Sequence, residues 1–215
     1  MTTTDTTGTS KDSPTLREPN AIDAMIGRIS GDSAALAALR RGIGVPPGEA
    51  PECWPWTVPL TADSDQRRAS RAWEGAVHHG LTLYALHQQS QSRNMHHNDN
   101  RSLGAACRIL RAKRSDSQGV ERRFLAAATA DTADELAHHL RGIIMLLRGE
   151  GIHLDYYRLI QALAGWDLPT SAGRTRRAWG RDFYRIDQSG DTEGDSPGED
   201  AAVSQPAATN QNNAQ

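Results

Sequence analysis

Four arginines, Arg174, Arg177, Arg181 and Arg185, follow one another at spacings of three, four and four. On a helix those spacings share one face. A row of guanidinium forks is chemistry for phosphate oxygens, because each fork is permanently charged, planar and able to donate two parallel hydrogen bonds. Only Asp182 is acidic nearby in sequence. Like charges at i,i+4 cost an isolated helix about 0.2–0.5 kcal/mol per pair, which an anionic partner would offset. A second concentration spans residues 93–123, where Arg93, Arg101, Arg108, Arg111, Lys113, Arg114, Arg122 and Arg123 face three acids. Arg141 and Arg148, seven apart, add a third row. One such row is a solvated face in most proteins. Rows on three or more helices favour a binding surface.

The net charge of −2 conceals this arrangement. Residues 187–215 carry six acids and no base, whereas residues 21–186 hold 22 Lys+Arg against 17 Asp+Glu. A basic body between acidic ends points to a polyanionic partner. Lys11 and Lys113 are the only lysines. A GC-rich coding sequence would account for that preference for Arg, but not for its clustering. No zinc-finger spacing and no RRM or KH signature marks the surface, so the pattern suits backbone contacts, which carry little sequence information.

The other chemical candidates are weaker. Eight histidines (His78, His79, His87, His96, His97, His138, His139 and His153) include adjacent pairs, whose side chains diverge by about 100° on a helix. No HExxH, GxSxG or P-loop is present, and the default reading of the histidines is solvated or capping. The loop sequence His96-His97-Asn98-Asp99 is the weak metal candidate. Asp131, Asp134 and Glu135 lie where helix N-terminal acids belong. The expectation is therefore no catalytic residue, no resident metal, no cofactor and no small-molecule substrate. Cys53 and Cys107 form no CxxC pair, and no apolar run reaches the ~20 residues of a membrane span, which reads as a cytoplasmic protein with reduced thiols.

The elements that must position these residues are helical throughout. Apolar spacing predicts helices over 21–29, 34–41, 65–91, 102–111, 118–128, from Thr132 to about 149, 155–164 and 170–186. In the long second-quarter helix, Trp73, Val77, Gly80, Tyr84 and His87 make one face, with Arg67, Arg71 and His78 opposite. Thr132 and Glu135 form a capping-box pattern. The stripe of the last helix is Trp179, Phe183 and Ile186. The Pro-rich stretch 46–60 reads as an irregular loop pinned to the core by Trp54 and Trp56. The fold class is all-α, with seven or eight helices in two packed helical subdomains. The expected order is a disordered lead (1–20), an N-terminal subdomain (21–115), a C-terminal subdomain (116–187) and a disordered acidic tail (188–215).

The segment order then resembles a known family. SLG (102–104), VERRF (120–124), TAD (129–131), ELAHHLRGIIMLLRGEGIHLDYYRL (135–159) and WGRDFYRI (179–186) are similar to the CasB family, the small subunit of the type I-E CRISPR surveillance complex Cascade. LRRGIGVPPGEAPECWPWTVPL (39–60) and LYALHQQS (83–90) extend the resemblance over about 39–186. It implies an all-α, non-catalytic subunit, present in two copies, beside a backbone of Cas7-type subunits and the large subunit. It also implies basic contacts to target DNA and the displaced strand of an R-loop, with CRISPR RNA as a further partner. Arg122, Arg123 and the arginines of the 102–111 helix best match the family's basic positions, and Arg141 falls in the HLRG step of the resemblance. The rival reading is a spacer whose basic faces dock acidic protein surfaces.

Overall fold

A computed structural model describes residues 20–61 and 67–186. Asn20 opens the first helix, α1 (Ala21–Ile29): its side-chain oxygen accepts from the Ile22 and Asp23 amides, and Asp23 accepts from the Asn20 amide. Both halves of a capping box are thus made. Asp32 caps α2 (Ser33–Arg41) from one side only, its carboxylate accepting from the amides of Ala34 and Ala35. The Pro-rich stretch is more regular than its sequence suggests. Short 3-10 turns flank a one-turn helix, α3 (Trp54–Thr57). Proline supplies the fixed φ at the first or second position of each of these turns. Trp56 packs on the core as expected, but Trp54 is half exposed and only its indole N–H is tethered, to the Pro47 carbonyl.

The long helix α4 (Arg67–Gln88) is the axis of the molecule. From Ala76 to Gln88 every residue but His79 is buried, because α2, α7 and α8 all pack on it. His78, expected opposite the apolar face, is therefore inside: α2 covers that side, and His78 Nε2 reaches the Gly42 carbonyl at 3.1 Å. The helix ends three residues before the expected 91, ahead of Ser90, whose φ is +60°. Then come α5 (Leu103–Lys113), α6 (Ser117–Ala128), α7 (Ala133–Gly149), α8 (Tyr156–Ala164) and α9 (Pro169–Phe183). The predicted stripes of α5, α6 and α7 are all buried. Glu135 reaches back one residue further than expected, to the Asp131 amide, while Thr132 caps the Glu135 amide. Because α9 stops at Phe183, Ile186 is off the stripe and 85 % exposed.

The all-α class holds: the one β feature among the described residues is an isolated parallel bridge, His96 to Leu154. The buried cluster runs continuously from Ile22 to Phe183 and includes both thiols, Cys53 and Cys107, which are unpaired. It spans the expected subdomain boundary, since α5 packs on α6, α7 and α9. The expected disordered lead up to residue 19, the acidic tail, the proposed helix start at Asp65 and the Arg67 side chain lie outside the described residues. None of the described helices is long and apolar enough to cross a membrane.

Tyr156 anchors a polar network in this core. Its hydroxyl donates to the Leu83 carbonyl and meets His87 Nδ1 at 3.0 Å, and its amide donates to His96 Nδ1. Burial, with lesser help from His153 and Arg148, pushes His87 down to about 3. Unfolded, that ring titrates near 6.5. The unfolded state therefore gains the proton first, and stability is lost as the pH falls from about 6.5 toward about 3. The expected loss from His87 alone is about 2 kcal/mol by pH 5. Urea titrations at pH 7 and pH 5 check it, and His87→Gln should flatten the slope.

Candidate nucleic-acid interface

The fourteen basic residues singled out from sequence fall into two physical groups. Arg93, Lys113, Arg122, Arg141, Arg174, Arg177 and Arg181 are exposed and make no side-chain ion pair or hydrogen bond among the described residues. The others are engaged within the fold. Arg101 donates toward His153 Nδ1 at 3.3 Å and pairs with Asp99 at 3.5 Å. Arg108 is half-buried and held by the chain. Arg111 lies over the Phe183 ring, 4.5 Å from its centre, and donates to the Phe183 carbonyl. Arg114 pairs with Glu150 at 3.1 Å. Arg123 turns back to the Gly119 carbonyl at 2.9 Å. Arg148 donates to Gln89 and the Leu86 carbonyl on α4. Arg185, beyond the end of α9, reaches Asp182 at 3.8 Å.

The row on α9 owes its orientation to the opposite face of that helix. Ala172, Trp179 and Phe183 are buried; Trp179 stacks on Trp166, and Phe183 stacks on Phe124 with ring centres 4.2 Å apart. Arg176, absent from the sequence-based set, belongs to that inner side: it donates to the Ala130 carbonyl and lies over the Trp166 ring. Turning these groups inward leaves Arg174, Arg177 and Arg181 outward. Asp182 does not neutralise them, since one of its oxygens accepts from the Ser102 hydroxyl and the other faces Arg185. Ser102 is also the N-cap of α5, so the start of α5 is tied to the end of α9. Tyr184 donates to Glu121 on α6, beside Arg122. The free end of the α9 row, the α5 start and the Arg122 region are thereby linked. Arg141 stands elsewhere, on the wall of a cavity of about 370 Å³ with Ile43, Val45, His79 and His138.

The expectation of solvated or capping histidines fails for His78, His87 and His96, which are buried and hydrogen bonded. Asp134 lies in the first turn of α7, as expected of a helix-start acid, and its carboxylate also meets His79 Nε2 at 2.8 Å. The structure also assembles His97, Asp99 and His153, with one donor atom of each within 4.8 Å of the others. His153 lies 54 residues from Asp99. No sequence spacing announces the group, because the His96–Leu154 bridge makes it.

The family profile described as CRISPR-associated protein Cse2 matches residues 35–184. The CRISPR-associated protein Cse2 of Thermus thermophilus is 34 % identical over 152 residues, covering 71 % of this chain and 79 % of its own. Among solved structures, CasB from Thermobifida fusca superposes with a TM-score of 0.65 at 33 % identity, over 76 % of this chain and 96 % of that one. A chain of a CRISPR RNA-guided surveillance complex shares the fold at a TM-score of 0.59 and 24 % identity, over 75 % and 92 %. The profile spans most of the chain, and a curated relative is 34 % identical over 79 % of its own length, so the chain belongs to the Cse2 (CasB) family of CRISPR-associated proteins.

Proposed function

We propose that this Cse2-family Cascade subunit is non-catalytic and holds nucleic-acid backbone in a type I-E complex. Its ligands are the target DNA and displaced strand of the R-loop, with CRISPR RNA as an assembly partner. Its protein neighbours are the Cas7-type backbone and the large subunit, and two copies act in each complex. The observation that carries this reading is the α9 row: Arg174, Arg177 and Arg181 are outward, on one helix face, and spent on nothing within the described chain. A cation already held by a carboxylate has little left for a phosphate; these three retain their full charge. Arg122 and Arg93 extend the surface. R-loop formation exchanges one duplex for another of similar stability, so a few phosphate contacts are enough to tip it.

The reading is tested in a reconstituted complex carrying Arg174→Glu, Arg177→Glu and Arg181→Glu together. The expected result is a complex that purifies at full stoichiometry but leaves the displaced strand of a matched target less open to single-strand-specific chemical probing, because fewer R-loops persist. A complex that fails to assemble, or that loses this subunit while the remainder holds DNA normally, would give the face to a protein neighbour instead.

A further inference from the structure

Two loops, one after α4 and one after α7, meet at a small polar cluster. The loop after α4 and the loop after α7 are joined by the Leu154 amide donating to the Met95 carbonyl, the His97 amide donating to the Leu154 carbonyl, and the Asp155 amide donating to the Arg101 carbonyl. Asp99 Oδ1 accepts from the Arg101 amide, and Arg158 donates to the Asn100 carbonyl at 2.9 Å. These bonds fix the backbone on both sides of three side chains. His153 Nε2 lies 2.7 Å from Asp99 Oδ2, and the His97 ring is tilted against the His153 ring with centres 4.5 Å apart. The Asp99 carboxylate is only 9 % exposed, whereas His97 is open to solvent.

We propose that His97, Asp99 and His153 form a binding site for a borderline divalent transition metal of the zinc class. Two imidazoles and one carboxylate are a complete three-ligand set for such an ion, leaving the fourth position to water. Tetrahedral coordination at about 2.1 Å places donor atoms roughly 3.4 Å apart. Coordination brings the His97 donor in by rotation of its exposed ring and opens the Asp99–His153 pair, now at 2.7 Å, by several tenths of an ångström.

The site is coupled to Arg101. A guanidinium only donates, so its contact with His153 Nδ1 makes that nitrogen an acceptor and leaves the ring proton on Nε2, pointing at Asp99. A metal between His153 Nε2 and Asp99 takes the place of that proton. The proton moves through solvent to Nδ1, which then becomes a donor facing Arg101. Two donors cannot share a hydrogen bond, and the cation beside Asp99 repels the guanidinium. Metal uptake therefore expels Arg101 from His153 and Asp99 and turns it to solvent. Occupancy would convert Arg101 from an internally held cation to a free one.

Zn²⁺ and Co²⁺ uptake by the full chain, followed by equilibrium dialysis and by the visible spectrum of Co²⁺, tests this. Wild type should take up one more ion per chain than His97→Ala, whose site is exposed enough that the fold is undisturbed, and should show the intense d–d bands of a tetrahedral site. Asp99→Asn should weaken binding roughly tenfold or more. Arg101→Gln should bind more tightly than wild type, because the competing cation is gone. Equal uptake by wild type and His97→Ala, or octahedral Co²⁺ spectra throughout, overturns the site. Unchanged or weaker binding by Arg101→Gln overturns the coupling.

Discussion

Replacing Arg174, Arg177 and Arg181 together by Gln is expected to weaken single-stranded DNA binding by the full chain about a hundredfold near 0.1 M salt. Each phosphate contact on a single strand contributes about 0.7 to the slope of log affinity against log salt, and about 0.9 on duplex. Three contacts therefore remove about two to three from the slope, and the same factor counts per tenfold dilution of salt below 1 M. In free energy this is roughly 2.7 kcal/mol. Binding isotherms from 0.05 to 0.3 M salt give both quantities. The loss should not depend on base sequence, because these contacts address the backbone. A triple variant that keeps the wild-type slope would remove α9 from the interface.

The comparison set is what makes this result specific. Arg111→Gln and Arg148→Gln also delete one positive charge each, but these guanidiniums lie on the Phe183 ring and carbonyl and on α4. Gln in their place should leave the salt slope nearly unchanged and lower stability, since a desolvated carbonyl loses a charged donor. Surface pairs such as Arg185 with Asp182 stand between the two groups. Their attraction is small in water and screened by salt, so a phosphate can compete for the arginine.

Much of this was readable from sequence, for a definable reason. The stripes of α5, α6 and α7 and the Thr132–Glu135 capping pattern depend on residues three or four apart, and helical periodicity reports those directly. The failures involve long-range packing. His78 is opposite the apolar face of α4 and would be solvated on a surface helix, but α2 covers it. Arg101 and Arg108 face away from Leu103 and Leu110, yet Asp99 and His153 engage Arg101, and Arg108 is half-buried within the fold. The row Arg174, Arg177, Arg181, Arg185 is a spacing pattern, and spacing cannot show that α9 stops at Phe183 and releases Arg185 to Asp182. Sequence thus locates the basic helices, while sorting free from engaged arginines requires knowing what packs on each. The His97–Asp99–His153 group is the extreme case, because its members meet only through a bridge between two loops.

Gly104→Ala is expected to be the most damaging glycine-to-alanine change among the described residues. A Cβ at Gly104 would stand 2.1 Å from the Trp179 carbonyl oxygen and under 3 Å from two further backbone atoms of Trp179. Backbone cannot rotate aside as a side chain does, so α5 and α9 must separate. That separation loosens the Phe124–Phe183 and Trp166–Trp179 stacks and the Ser102–Asp182 contact together. Overpacking of a well-filled core costs 1–3 kcal/mol, and here the obstacle is rigid, so about 3 kcal/mol or more is expected. For a chain of this size that lowers Tm by roughly 6–12 °C. Gly142→Ala is the internal control: it sits inside α7, and nothing lies within 4 Å of the position its Cβ would take. There the substitution should stabilise by about 0.5–1 kcal/mol, because Ala has less backbone entropy to lose in a helix. Scanning calorimetry of the two variants should move Tm in opposite directions. Since the α5–α9 contact also sets which way α9 faces, Gly104→Ala should reduce DNA affinity even at temperatures where the chain remains folded, and Gly142→Ala should not.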